Sequence, residues 1–180
     1  MRGIAALFLR QIAQSTRAVA AVEFALALPV LLLMYLGGAQ LSDAIGCDRK
    51  VTITARAVAD LISQNAILSR SQVNAVLNAS QQIMAPYPSS NALVRVSEVT
   101  TDSNGNTTVT WSEAISGSAR IAGSSFTVPA GIKSRNSSLI YSEVIYAYKP
   151  WITFAFMRPM TLTQTIYMVP RLANTVAETP

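Results

Sequence analysis

Residues 18–39 read AVAAVEFALALPVLLLMYLGGA, an apolar run broken by a single charge, Glu23. As a helix this run spans about 33 Å, close to the hydrocarbon thickness of a bilayer. Arg2, Arg10 and Arg17 precede it without an acid, and the mixed cluster Asp48, Arg49, Lys50 follows it. Basic residues close to a spanning end stay cytoplasmic, so the leader is expected inside and the remainder outside. The parts expected are a basic cytoplasmic leader over 1–17, a transmembrane helix over 18–39, extracytoplasmic helices over 40–88 and a β-rich head over 89–180. The membrane lipid itself is then the first partner. Two processed alternatives use the same residues. A secretory signal would end near Gly37-Gly38-Ala39 and leave Gln40 as the new terminus. A lipoprotein signal would use Cys47, but Asp43 lies between the apolar run and that cysteine.

Beyond the run, Leu41, Ala44, Val51, Ala55, Val58 and Ile62 recur mostly at three- to four-residue spacing, which predicts one long helix over about 17–64. Pro29 is the place where it would kink. A second helix is expected with Ser69 or Ser71 as cap and Val73, Val76, Leu77, Ile83 and Met84 on its apolar stripe. Pro86-Tyr87-Pro88 ends it. The period then becomes two. Segments 93–101 and 107–115 flank Asn104-Gly105, the expected hairpin turn. That register places Val94 and Val96 on one face with Val109, Trp111 and Ile115, and with Glu98 and Glu113. A short strand over 125–128 and longer ones over 139–148 and 162–169 follow. The expected fold class is α+β: a long N-terminal helix, a short second helix, and about four antiparallel strands with one face on the amphipathic helix half.

The chain has no histidine and one cysteine, Cys47. Ser-His and Cys-His nucleophilic pairs, histidine-bearing zinc sites and an intrachain disulfide are thereby excluded. Glu98, Glu113 and Glu143 are expected on solvated strand faces, and no phosphate-cradling or nucleophile-elbow motif occurs. No enzyme activity, no metal and no cofactor is expected. The net charge of +5 is scattered rather than gathered in a stripe, so no nucleic-acid partner is expected. Trp151, Phe154 and Phe156 form an apolar stretch read either as core folded over the sheet or as an interaction patch.

A carboxylate in a spanning segment costs about 2.5–3.5 kcal/mol at mid-bilayer, less near an interface, and is usually partnered. Basic leader, small residues, Glu23-Phe24 and the apolar run together resemble the class III signal segments of type IV pilins and pseudopilins. More closely, RAVAAVEFALALPVLLLMYLGGAQL resembles the TadE/TadG-like family of tight-adherence (Tad) pilus assembly proteins, strongest over 17–41. The segments 144–150 and 166–171 resemble that family's Tyr-x-Tyr-x-Pro and terminal Pro-Arg regions more loosely. The resemblance implies a pilin-like fold and a structural role in pilus biogenesis and adherence. The implied partners are the major pilin, other minor pilins, inner-membrane platform proteins and, where the leader is processed, a prepilin peptidase. Carried over, cleavage would fall between Ala18 and Val19, and Glu23 would be the fifth mature residue. Ala18 departs from the glycine usual before that cut. Glu23 would then be the counter-charge for a buried Val19 amine of a neighbouring subunit. The class-different alternative is a membrane-anchored extracytoplasmic binding or sensory module unrelated to pili.

Overall fold

The computed structural model describes residues 16–152 and 158–179, with side chains from residue 19 onward. The chain divides into two compact units, Met1–Asp43 and Ala44–Pro180. Helix α1, Thr16–Ser63, contributes to both and runs through Pro29 without a break.

In the second unit the inward face of α1 is built by Ala44, Cys47, Val51, Ala55, Val58, Ala59 and Ile62, all buried. This is the expected stripe, except that Leu41, in the first unit, is exposed. Gly46 permits a close approach, since a Cβ there would come 2.9 Å from the Tyr87 hydroxyl. The last carbonyls of α1 are met by side chains: Ser63 Oγ donates to Asp60 O at 2.9 Å and Asn65 Nδ2 to Leu61 O at 2.8 Å. Helix α2, Arg70–Ser80, starts on a capping box in which Ser69 Oγ accepts from Gln72 N and Gln72 Oε1 accepts from Ser69 N. Ser69, not Ser71, is therefore the cap. Val73 and Leu77 are buried, but Ile83 and Met84 lie beyond α2, in a 3-10 turn over Gln81–Met84. The tighter turn still buries Met84.

Four antiparallel strands follow: β2 Ala92–Thr101, β3 Thr107–Ile115, β4 Ser137–Tyr148 and β5 Met160–Met168, in the order β3-β2-β4-β5. A separate parallel pair, β1 Ile67–Ser69 with β6 Ala177–Thr179, has no counterpart in the sequence reading. Ala92, Val94, Val96, Trp111, Ile140, Val144, Tyr146 and Tyr148 join the buried side chains of α1 and α2 in the main core.

The hairpin differs from expectation in one informative way. Its closing pair is Thr101↔Thr107, and the register shifts between Glu98 and Val99. Asn104-Gly105 therefore sits inside a five-residue loop, Asp102 to Asn106, rather than forming a two-residue turn. Asp102 organises that loop: its Oδ1 accepts from Asn106 N at 2.7 Å and Asn104 N at 2.9 Å. Gly105, at φ 89°, supplies the left-handed residue. The bulge absorbs the one-residue change, and because side chains alternate with period two it moves Val109 to the opposite face, against Val99. Val94, Val96, Glu98, Trp111, Glu113 and Ile115 keep the expected face.

That opposite face is itself a core. Val99, Val109, Leu139 and Tyr141 pack under Val128, with Phe126 and Tyr167 against them. The strand expected over 125–128 is reduced to one bridge, Thr108↔Ser125, at the edge of β3, from which Phe126 and Val128 reach over the sheet as cover. Both faces being covered overturns the expectation for the three strand glutamates. Glu98, Glu113 and Glu143 are all buried, and each is partnered, as burial of a charge requires.

The hairpin loop gives a pH prediction. Hydrogen bonds from Asn106 N first, then from the Asn106 side chain and the Asn104 backbone, hold the Asp102 carboxyl below its ordinary value. The fold thus favours the carboxylate. This contribution is complete above the unfolded aspartate value and is lost as pH falls through the lowered folded one. Amide exchange at Asn104 and Asn106 should accelerate over that acid window, beyond its intrinsic pH dependence. An Asp102→Ala chain should show the faster exchange at every pH.

Candidate functional site: the N-terminal apolar helix

From Val19 to Tyr35 every residue of α1 is exposed. The apolar surface runs around the whole helix: Phe24 is 60% exposed, Leu26 71%, Met34 70% and Tyr35 74%. An eighteen-residue window reaches a mean hydropathy of 2.3 with none of it buried. A helix apolar on all sides belongs either in a protein core or in lipid. Here no core covers it, so among the described residues α1 is the one helix long and apolar enough to cross a membrane. A helix satisfies its own backbone hydrogen bonds internally, which is what a lipid environment, with no water to compete for them, would require of such a segment.

Ala18 and Val19 lie inside the helical turn sequence of α1, and Val19 is exposed. Glu23 and Phe24 stand on the same exposed surface, one to two turns further along. Glu23 is thus a carboxylate on an otherwise apolar rod near its start, where a partner cation or the interface is needed to offset desolvation. Trp151 is 66% exposed, against the core reading for that residue. Phe154 and Phe156 lie outside the described residues.

The second unit holds charge chemistry of a different kind. Glu143 receives Arg95 and, at 3.0 Å, Arg120 Nη2. The Arg120 guanidinium also lies 5.2 Å from the Phe126 ring centroid and 5.3 Å from that of Tyr141. Burial first, and the Glu143 charge second, push the Tyr141 phenol up to about 12. Glu113 pairs with Arg70, and beside them burial, followed by the Glu113 charge, pushes the Glu178 carboxyl up. Glu98, 1% exposed, accepts from Ser138 Oγ at 2.6 Å and from Val176 N at 2.8 Å through Oε1. Trp111 Nε1 donates to Val176 O at 2.7 Å. These hydrogen-bonded pairs join residues 23 to 78 positions apart and had no local signature. Each links secondary elements to one another and closes the fold. Among the described residues no group of three or more acidic or cysteine side chains could hold a metal ion.

The architecture therefore defines a class: one apolar helix compatible with single-pass membrane anchoring, followed in the chain by a mixed α+β unit built on a four-stranded antiparallel sheet. Residues 18–60, which include the apolar run with Glu23 and all of the amphipathic stripe except Ile62, match the family model described as TadE-like protein. The match ends before α2 and the sheet begin. No curated protein and no solved structure matches the chain.

Proposed function

We propose that this protein is a minor pilin or assembly component of a Tad-type IV pilus, held in a bacterial inner membrane by α1. The observation that carries the reading is the unburied apolar surface from Val19 to Tyr35 with Glu23 in it, inside the segment that matches the TadE-like model. The basic leader over 1–17 stays in the cytoplasm, residues 18–39 span, and residues 40–180 stand in the periplasm. The role is structural. The apolar helix packs among like helices of major and minor pilins and platform proteins, and Glu23 neutralises a cation there. Where a prepilin peptidase acts, that cation is the amine of Val19 from a neighbouring subunit. The exposed Trp151 offers contact area to the same partners.

The test is fractionation of the native host followed by N-terminal sequencing of the mature chain. The proposal expects the protein in the membrane pellet, resistant to alkaline extraction, with pilin components co-purifying in mild detergent. It expects protease added outside the inner membrane to degrade residues 40–180. A mature terminus at Val19 supports processing, and an intact start supports a permanent anchor. A soluble product beginning at Gln40 overturns the membrane reading altogether.

A further inference from the structure

The two edges of the main sheet are treated differently. The outer edge of β3 is capped over its first residues, Thr107–Val109: Val109 N donates to Ser124 O at 3.0 Å, Val109 O accepts from Gly123 N at 2.8 Å, and Thr107 O accepts from Phe126 N at 2.8 Å. The outer edge of β5 takes no strand among the described residues. Sheet edges are normally protected by lysine, proline, bulges or short length. Strand β5, MTLTQTIYM, is nine residues long, has no charged residue and no proline, and pairs with β4 in unbroken register. Beside its second half lies a groove of about 830 Å³. Ile53 and Arg56 of α1 form one wall, Ile132 contributes to the lining, and Ile166, Met168 and Arg171 complete it.

The charges around this edge select the occupant. Arg158 stands two residues before β5, Arg171 three residues after it, and Arg56 on the α1 wall; of the described acids, Asp60 lines the groove and is engaged by Arg171, and Asp48 accepts from Gln164 Nε2 of β5 at 3.0 Å. A second copy adding antiparallel through β5 would set Arg158 of one chain against Arg171 of the other at both ends, between molecules of net charge +5. Like charges so placed oppose self-pairing. We propose that β5 is a strand-addition site for an extended segment of a different protein, uncharged along its middle and acidic at its flanks. Main-chain hydrogen bonds to the free edge supply the affinity. Alternate apolar side chains of the segment reach Ile53, Ile132 and Met168, and its flanking carboxylates meet Arg56 and Arg158. The inference rests on the second unit alone and does not depend on the pilus reading.

The experiment uses the full chain in detergent micelles and fluorescently labelled synthetic peptides of alternating threonine and valine, flanked by glutamates or by lysines. The glutamate-flanked peptide is expected to bind saturably, and the lysine-flanked one about tenfold more weakly or not at all. The same glutamate-flanked peptide with alternate amides N-methylated, on the face that pairs, should lose binding. Both alternation phases are tested. The double variant Arg56→Glu with Arg158→Glu, two exposed positions whose change leaves the core intact, should reverse the charge preference. Failure of the glutamate-flanked peptide to bind overturns the proposal, as does binding indifferent to flanking charge or to N-methylation. Dimerisation of the chain itself, abolished by Thr163→Lys, also overturns it by making a second copy the occupant.

Discussion

Glu98→Ala is expected to lower the stability of the second unit by about 3 kcal/mol, a loss seen as a fall in Tm of roughly 6–12 °C. Glu98 is fully enclosed, and its Oε1 is the acceptor for two donors from distant parts of the chain, Ser138 Oγ and Val176 N. Truncation leaves both donors in a dry site, each unmet donor costing about 1–3 kcal/mol, and adds a cavity where the side chain stood. The tail is held at the same point by Trp111 Nε1 on Val176 O, by Ala177 N on Ala66 O at 3.0 Å, and by Arg171 N on Ser63 O at 2.8 Å. Loss of Glu98 therefore loosens β6 from β1 as well as the centre of β2. Glu98→Gln keeps an acceptor at nearly the same place and removes the cost of burying a charge, so it should cost less than half as much. Thermal unfolding of the two variants in micelles, with amide exchange at Val176, measures both effects. Equal stability of Glu98→Ala and the parent chain would show that the carboxylate does not latch the tail.

The second large effect concerns α1. Leu31→Arg with Leu32→Arg should abolish the membrane insertion proposed for α1. About ten Leu, Val and Phe side chains in the run contribute roughly −0.3 to −0.6 kcal/mol each to insertion, so together about −4 kcal/mol. Two arginines near the middle oppose this with about +5 to +7 kcal/mol, which reverses the sign. Residues 31 and 32 are exposed and make no contribution to the core of the second unit, so the effect on insertion is separable from folding. Alkaline extraction of membranes distinguishes the parent from the variant. The far-ultraviolet signature and Tm of the second unit should stay the same. Retention of the variant in the extracted membrane fraction would disprove insertion by this helix. Glu23→Gln is the complementary change: it removes a charge from the apolar surface and should tighten insertion while weakening any assembly that uses the carboxylate.

Much of this fold was legible because its signals are local. A run of Leu, Ala and Val at 18–39 has the same meaning in any context long enough to span lipid. Ser69 followed by Gln72 carries its cap within four residues, and the period-two segments around 93–115 and 139–148 announce strands by alternation alone. The apolar helix and its carboxylate, the candidate site, were visible in the same way. The failures share a cause too. Val109 changed face because a bulge at Glu98/Val99 corrected a loop longer than Asn104-Gly105 suggested. Glu143 was assigned to solvent because nothing near it in sequence announces Arg120 or the covering segment with Phe126 and Val128.

By itself, then, the sequence determined the apolar helix, the change from helix to strand periodicity near residue 90 and the absence of histidine-based chemistry, since these depend on neighbours a few residues apart. Which sheet faces are covered, the burial and pairing of three glutamates, the closing of β6 on β1, and an outer edge of β5 that takes no strand among the described residues were settled by the folded chain alone. Those outcomes depend on contacts between residues tens of positions apart, whose free energy exists only once the chain has brought them together.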